Sequence, residues 1–391
     1  MFLAILALVL LALATLLLNQ HRFKFQRQPE NPPTIQHWLA SQRAIVTFAY
    51  AGPSIPLQQK LLLRSQPNSR LVAAFGINNS LTTTSVEVHE RFRRTAARLL
   101  ANNRLRWQLL YTAAEGVLSE LIARRSGEMS CNGEGEGPGV GDEVEVMEGK
   151  GVEVEKRLEI EKEEEEDLVV VITREINSQW VLEEGLKRLQ LVLPDGNGVP
   201  LTPEEALGLI MPQYETLWRV VLLTFVTAFH RSQGERRQEI TRRAEGVPGC
   251  LGDSEKEKSA LGLAKEGLRL FPSNKRIYRT GSEPADLERC HRRAEIWGAD
   301  ALEFRPERFD SLTDLQKQAY FPFSIGQHKC PAYAGFGDRM VTMLVVVLGR
   351  MLSAEVGVVV FNDEALDADG ERLKPLPTGR DDMEGWVLEL F

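Results

Sequence analysis

One cysteine, Cys330, stands at the end of a glycine-containing loop and just before a long apolar helix that is predicted to begin near Tyr333. Unpaired backbone N–H groups and the helix dipole favour negative charge at a helix N-terminus, so a cysteine there is expected to be held as a thiolate. The preceding His328 and Lys329 add positive charge. This pattern favours a sulfur ligand to iron. For a cysteine considered alone, an inert buried side chain is the commoner outcome.

Two charged motifs precede this cysteine. Glu266 and Arg269 lie three residues apart, which places them on one face of a predicted helix. Arg308 follows within a Phe-Arg-Pro-Glu-Arg-Phe segment, between that helix and Cys330. If these charges are buried together, each must be satisfied by the others, and removing one should be worse than removing all three.

This ordered set resembles the cytochrome P-450 family of haem-thiolate monooxygenases. Residues 323–332 are similar to the family's cysteine loop, although Ala332 stands where glycine is commoner. Residues 266–269 resemble its K-helix motif, and residues 306–309 resemble the segment whose arginine completes a Glu-Arg-Arg cluster behind the haem. The resemblance is dense from about residue 202 to 350. It implies a mainly α-helical fold with a small β-rich lobe that binds haem b.

The resemblance also implies a role for each site residue. Cys330 would be the axial ligand of the haem iron. Phe323 would pack near its sulfur, and Gly326 would permit the tight backbone approach in the loop. The glutamate and two arginines described above would form a structural network that orients this loop. Three basic residues would contact the haem propionates, unless they are ordinary solvated side chains: His328, Arg279 and Arg93.

A long central helix is predicted to begin at Pro203, after a capping threonine, and to run past Pro212. Glu215 and Thr216 on this helix resemble the family's acid–alcohol pair, which implies that they relay protons during oxygen activation. The family usually has small residues just before the pair, whereas this chain has Pro212 and Gln213. An ordinary amphipathic helix with an exposed glutamate is the alternative.

The N-terminus predicts a membrane anchor. Residues 2–18 carry no charge, and a run of that length is at the short end of what spans a bilayer. A cleaved signal peptide would have a basic start and a small-residue cleavage site after the apolar run, and this chain has neither. We predict an anchor in residues 1–20, a basic, proline-rich hinge in residues 21–33 and a haem-binding domain in residues 34–391. Basic residues after the anchor place that domain on the cytosolic side of the endoplasmic reticulum membrane.

Residues 127–167 are predicted to be a disordered acidic insert. They contain 16 acidic and 4 basic side chains, a net charge of −12, and the whole chain carries −8, so the remainder carries +4. Glutamate and glycine dominate, and such a composition cannot bury enough apolar surface to fold. An acidic docking segment is the alternative. The mildly basic remainder fits an acidic reductase surface, and no nucleic-acid partner is expected.

The remaining features set the function classes. The four cysteines have no pattern of a zinc site, and no phosphate or dinucleotide loop is evident, so electrons must come from a separate NADPH-dependent reductase. Short β-like runs appear at 44–48 and 356–361. The expected activity is insertion of one atom of O2 into a small lipophilic substrate. The resemblance implies a substrate lid between the helix-like 88–94 and residue 202, where residues 104–125 and 168–193 are the main ordered candidates. We therefore expect a lid that is abbreviated or partly replaced by the acidic insert. A haem-binding but catalytically degenerate relative is therefore the main alternative, and a membrane-anchored scaffold without cofactor is a weaker one.

Overall fold

The computed structural model describes eight parts of the chain, and all structural statements refer to them: 34–75, 79–100, 104–130, 203–245, 255–367, 374–379, 381–383 and 385–391. The predicted anchor, the predicted hinge and most of the predicted acidic insert lie outside these ranges. Within them, no helix has the length and apolar character needed to cross a bilayer.

Helices dominate the described residues, as the sequence predicts. In chain order they are α1 (Ile35–Thr47), α2 (Leu57–Ser65), α3 (Ser69–Phe75), α4 (Val86–Leu99), α5 (Arg104–Ser130), α6 (Pro203–Val226), α7 (Gly234–Glu245), α8 (Glu255–Leu270), α9 (Leu287–Arg292), α10 (Ala294–Trp297), α11 (Asp314–Ala319) and α12 (Phe336–Met351). Helix α6 begins at the predicted proline. Helix α5 continues four residues into the predicted acidic insert, so its order extends beyond the sequence-based boundary.

Two small antiparallel sheets accompany these helices. Strands β1 (Arg276–Ile277) and β2 (Ala285–Asp286) form one, and β3 (Gly357–Val360) and β4 (Val387–Leu390) form the other. Strand β3 confirms the predicted run at 356–361. The prediction of a β-like run at 44–48 is wrong.

The error at 44–48 has a local cause. These residues form the C-terminal part of α1, where Leu39 and Val46 lie seven positions apart and are both buried. Seven residues are two helical turns, so both side chains face the same core. The Thr34 side chain accepts a hydrogen bond from the backbone N–H of His37 and caps the helix. The β-branched side chains of this segment favour a strand locally, but their packing against the core stabilises a helix.

The main core forms where α6, α8 and α12 pack together, and it includes Leu223, Leu263 and Val345, all almost fully buried. Close approach of α6 and α8 depends on Gly267. A Cβ atom at this position would lie 2.1 Å from Thr224 Oγ1, so any other residue would force the helices apart. This contact places the C-terminal turn of α8, with Glu266 and Arg269, against the central helix.

Candidate functional site

Cys330 ends a tight loop that leads into α12. Its backbone N–H donates to the Phe323 carbonyl at 2.9 Å, which closes the loop. Gly326 has φ of 74°, in the left-handed region that glycine adopts at little cost. Phe323 packs on the first turn of α12 at Gly337, where a Cβ atom would lie 2.6 Å from the phenyl ring. The loop therefore depends on one glycine for its turn and on another for its seat against the helix.

The long helix begins three residues later than the predicted Tyr333, and Cys330 stands at the N-terminus of a short 3₁₀ turn that precedes it. Helix α12 begins at Phe336, and a short 3₁₀ turn, Pro331–Tyr333, separates it from Cys330. The local effect comes from this turn: the backbone N–H of Ala332 acts to lower the pKa of the Cys330 thiol. One backbone N–H therefore favours negative charge on the Cys330 sulfur, an effect that the sequence analysis expected from the dipole of the long helix.

Among the protein's own effects on the Cys330 thiol, partial burial is the largest. The side chain has an exposed surface, but the protein atoms packed around it raise the pKa of the thiol through partial burial. The hydrogen bond from Ala332 and the charges of Arg64 and Arg93 lower it, and they do not outweigh burial. The protein by itself thus holds a neutral thiol, and a metal that binds the sulfur must displace its proton.

His328 is a neutral imidazole, which corrects the expectation of a basic pair before the cysteine. Burial, followed by the charge of Arg64, lowers the pKa of His328 to about 2. The Arg64 guanidinium donates from Nη1 to His328 Nδ1 at 3.1 Å, so the ring proton must be on Nε2. That buried Nε2 has no hydrogen-bond partner within the described residues.

His328 belongs to a group of basic side chains that we call the front cluster. Its members come from α2, α4, the segment after β1 and the cysteine loop, and they are Arg64, His89, Arg93, Arg279 and His328. The His89 and His328 rings lie 5.2 Å apart, and Arg93 donates to the carbonyl of Gln327, next to His328. Within the described ranges, no carboxylate forms an ion pair with any of the three arginines.

Burial without a counter-charge destabilises the charged forms of Arg64 and Arg279 in this cluster. Burial, and then the charges of Arg279 and Arg93, lowers the pKa of Arg64 to about 9. Burial likewise lowers the pKa of Arg279 to about 10, and the buried Nε of this residue has no partner in the described chain. Arg279 lies 4.5 Å from the centre of the Phe48 ring. These positive groups are held by neutral neighbours only.

A second group, which we call the back network, comprises Glu266, Arg269 and Arg308. Glu266 and Arg269 are fully buried and form a two-pronged ion pair, with both N–O distances at 2.7 Å. Arg308 Nε lies 3.6 Å from Glu266 Oε1, and the backbone N–H of Arg305 donates to the same oxygen at 2.9 Å. The structure thus brings together the three charges that the sequence grouped.

Most of the remaining donors of the back network are also satisfied, and the exception is Arg308 Nε, which is buried without a hydrogen-bond partner in the described residues. Arg269 Nη1 donates to the carbonyls of His291 and Ala301 at 2.7 and 2.6 Å. Arg308 donates to the carbonyl of Trp297 and to Asp300. Burial opposes ionisation of Asp300, but hydrogen bonds and charges from Arg308 and Arg305 prevail and lower its pKa.

Glu215 and Thr216 lie on α6, as predicted, and α6 packs on both α8 and α12. The Thr216 side chain is half-buried, and the Glu215 side chain is outside the described part of the chain. Their assignment as a proton relay stays a prediction.

The sequence analysis did not predict Arg64 or Ser80 as residues of the site. The Ser80 carbonyl accepts from Arg64 at 3.0 Å, and the Ser80 hydroxyl hydrogen-bonds to His89 Nδ1 at 2.8 Å. Neither residue belongs to a motif with recognisable spacing. Arg64 looks like an ordinary basic residue in the last turn of a helix, and only the fold brings it to the cysteine loop.

A site with an accessible sulfur beside buried, unpaired positive charges suits a ligand that joins a metal to anionic groups. The family described as Cytochrome P450 matches residues 285–352, a range that contains Arg308 and Cys330. Cytochrome P450 714B3 from Zea mays is 26% identical over 130 residues, which are 29% of this chain and 24% of the relative. Putative cytochrome P450 CYP13A1 from Caenorhabditis elegans is 26% identical over 186 residues, 40% of this chain and 35% of the relative.

Some shorter matches have higher sequence identity. Benzoate 4-monooxygenase bphA from Aspergillus niger is 55% identical over 42 residues, 10% of this chain and 8% of the relative. The chain therefore spans about a third or less of the length of these curated relatives. A solved structure titled as a cytochrome P450, CYP102L1, aligns over 82% of this chain and 85% of its own, with 14% identity and a TM-score of 0.47.

The sequence matches support the cytochrome P450 family, in which a cysteine thiolate holds the haem iron. The residues of this chain fit that group. The exposed sulfur of Cys330 can reach a metal, and the orphaned Nε2 of His328 and Nε of Arg279 are donors suited to carboxylates. Arg64 and Arg93 supply further positive charge. Two propionates would neutralise charges that the described protein leaves unpaired.

Proposed function

We propose that this chain is a haem-thiolate monooxygenase that inserts one atom of O2 into a small lipophilic organic substrate, with electrons from an NADPH-dependent reductase. The observation that carries the proposal is the front cluster beside Cys330. Buried positive charges without carboxylate partners are costly unless a bound anion satisfies them. A purely structural cysteine loop would not need them.

The cysteine loop would hold the group and protect its ligand. When bound, haem supplies the oxygen-activating redox chemistry. The Cys330 sulfur would bind the iron, and the Ala332 N–H would donate to that sulfur and spread its charge. Phe323, seated against Gly337, would exclude water from the sulfur. His328, Arg279 and Arg93 would bind the propionates, together with Arg64.

Protons would come from the central helix. We assign Thr216 Oγ1 as the group that hands a proton to the reacting oxygen, and Glu215 as the group that resupplies it. Support comes from the order of these residues on α6 and from the packing of α6 against α8 and α12. Replacement of Thr216 by alanine should leave haem bound and uncouple NADPH consumption from product formation.

The electron donor and the location rest on sequence. Bifunctional cytochrome P450/NADPH--P450 reductase 1 from Bacillus subtilis is 46% identical over 44 residues, 11% of this chain and 4% of that protein. Its printed name joins the two activities in one protein, and this chain shows no dinucleotide loop, so a separate reductase is proposed. The apolar residues 2–18 support an anchor in the endoplasmic reticulum membrane, with the haem domain in the cytosol.

The test is the reduced, carbon-monoxide-bound absorption spectrum of the full chain in detergent. Wild type should show the strongly red-shifted Soret band of a thiolate-ligated haem, and Cys330→Ala should lose it. Cys290→Ala is the matched control, because Cys290 is a cysteine outside residues 323–332 whose side chain is fully buried in the core. No haem uptake by wild type would refute the proposal. A thiolate band without any substrate turnover would instead favour the degenerate relative.

A further inference from the structure

His291 joins the back network to the segment that leads into the cysteine loop, although neither the sequence motifs nor the proposed chemistry uses it. It lies on α9 and is completely buried. Its carbonyl accepts from Arg269 Nη1 at 2.7 Å. Its imidazole Nε2 faces the opposite way and accepts from the backbone N–H of Phe321 at 3.3 Å. One residue therefore contacts both elements through two different groups.

The far side of this connection ends at the cysteine. The Phe321 carbonyl accepts from the backbone N–H of Ser324 at 2.9 Å, and the Phe323 carbonyl accepts from that of Cys330 at 2.9 Å. Phe321 is almost fully buried, so water cannot replace the imidazole as the acceptor for its N–H. The start of the loop is thus fixed by a hydrogen bond to His291.

The tautomer of His291 is determined by this arrangement. Because Nε2 accepts, the ring proton must be on Nδ1. The carbonyls of Leu268 and Arg269 face the ring from the end of α8, but neither reaches hydrogen-bond geometry with Nδ1. Burial, and then the charge of Arg269, lowers the pKa of His291 to about 3, so the ring is neutral and remains an acceptor.

The surroundings hold the ring in place. The Tyr320 and Phe321 rings lie 5.7 and 5.8 Å from the imidazole centre. The next residue, Arg292, donates to the Leu270 carbonyl at the end of α8 at 2.9 Å, and the Cys290 carbonyl accepts from Trp297. Residues on both sides of His291 are therefore anchored to the same region as the back network.

We propose that His291 is a positioning residue, which transmits the geometry of the back network to the Cys330 loop through the Phe321 amide. This rests on the proposed function for its consequence, the retention of the thiolate ligand. The hydrogen-bond chain itself is a property of the protein alone. His291→Phe keeps an aromatic ring and removes the acceptor, whereas His291→Gln keeps an acceptor.

The first measurement is hydrogen exchange of the peptide spanning 321–330 in the purified full chain. His291→Phe should accelerate exchange there roughly tenfold, since a buried donor loses its partner, and His291→Gln should remain within about twofold of wild type. His230→Phe is the matched control, because His230 is also packed in the protein but bonds to the Leu352 carbonyl. A uniform acceleration over all peptides, or none at 321–330, would overturn the proposal.

The second measurement is the carbon-monoxide spectrum of the same variants. His291→Phe should convert a larger fraction of the haem to the form without thiolate than either His291→Gln or His230→Phe does. If wild type lacks the thiolate band, the proposed function fails, and the exchange result still decides the role of His291. If wild type has the band and His291→Phe matches it, the positioning role fails alone.

A third measurement is made on wild type, uses His291→Gln only to assign a signal, and decides the matter if His291→Phe does not fold. Wild type labelled with ¹⁵N at its six histidines reports each ring tautomer by NMR. His291, identified by its loss in His291→Gln, should show a bare Nε2 and a protonated Nδ1. Protonation of Nε2 would rule out the hydrogen bond from Phe321 and with it the proposal.

Discussion

The front cluster contacts the cysteine loop at Gln327 and His328, whereas the back network connects to Phe321 through His291, and the two groups differ in how their buried charges are neutralised. In the back network, Glu266 pairs with Arg269 at 2.7 Å, and Arg308 donates to carbonyls and to Asp300. In the front cluster, Arg64 and Arg279 are buried with neutral neighbours, and burial has lowered the pKa of both. Both regions contain buried arginines, but only one contains their counter-charges.

The difference separates a structural element from a binding site. A buried ion pair that satisfies itself contributes to fixing one geometry, and its members are costly to remove one at a time. Buried charges of one sign repel each other and do not stabilise one geometry by pairing. They are expected where a bound ligand of opposite charge neutralises them. The contrast is consistent with a structural role for the back network and with the ligand-binding role proposed for the front cluster, and variants can test each half.

Glu266→Gln should have the largest effect. It leaves the fully buried Arg269 without its counter-ion, which costs about 3–5 kcal/mol of the free energy of unfolding. Chemical denaturation measures this loss. Glu255→Gln, on an exposed pair at the start of the same helix, is the control and should change nothing measurable. A loss no greater than that of the control would show that the pair is not needed for the fold.

Acidification should destabilise the fold through His89 of the front cluster. Burial, and then Arg64 and Arg93, lowers the pKa of His89 to about 4, whereas an unfolded chain titrates near 6.5. Between these values the unfolded state binds the extra proton, so stability is lost as pH falls from about 6.5 towards about 4. The slope is at most about 1.4 kcal/mol per pH unit for one histidine.

The pH effect is measured by urea denaturation of the haem-free chain across that range. His89→Gln should flatten the slope by about one proton, because glutamine does not titrate. His37→Gln is the control, since His37 is on the exposed side of α1. Equal slopes for wild type and His89→Gln would mean that His89 is not buried in its neutral form.

Arg93→Gln should separate binding from stability. It removes a positive charge that has no described carboxylate partner, so the free energy of unfolding should change little. Haem retention should weaken about tenfold, the effect of about 1.4 kcal/mol of lost ion pairing. Haem transfer to an acceptor protein measures it. Arg94→Gln, an exposed neighbour on α4, should behave as wild type, and equal retention in both variants would remove Arg93 from the site.

Gly326→Ala should have the smallest effect. A Cβ atom would lie 3.6 Å from Thr47 Cγ2, which is ordinary contact, so only the positive φ of 74° opposes it. The expected cost is about 1 kcal/mol, measured by thermal denaturation. Gly116→Ala in α5 meets nothing within 4 Å and should stabilise instead. If Gly326→Ala left the thermal stability unchanged, the backbone of the cysteine loop would accept a side chain at this position without cost.

The sequence predicted the back network better than the front cluster, for a physical reason. Glu266 and Arg269 are one helical turn apart, so local spacing reports their contact. Arg64 and His328 meet only through the tertiary fold, and nothing near Arg64 signals it. The raised pKa of Cys330 was equally hidden, because burial depends on every element packed around the loop. The helical periodicity of apolar residues predicted the helices correctly, whereas the strand preference of β-branched residues gave a wrong prediction at 44–48.

The contact between Arg64 and His328 spans 264 positions of the sequence. Closing so long a segment costs chain entropy, and the front cluster then adds repulsion between Arg64, Arg93 and Arg279 at the moment of closure. A ligand that binds only the closed form favours it by mass action. With haem as the proposed ligand, we therefore expect newly made chains to be more sensitive to proteases before haem binds than after it.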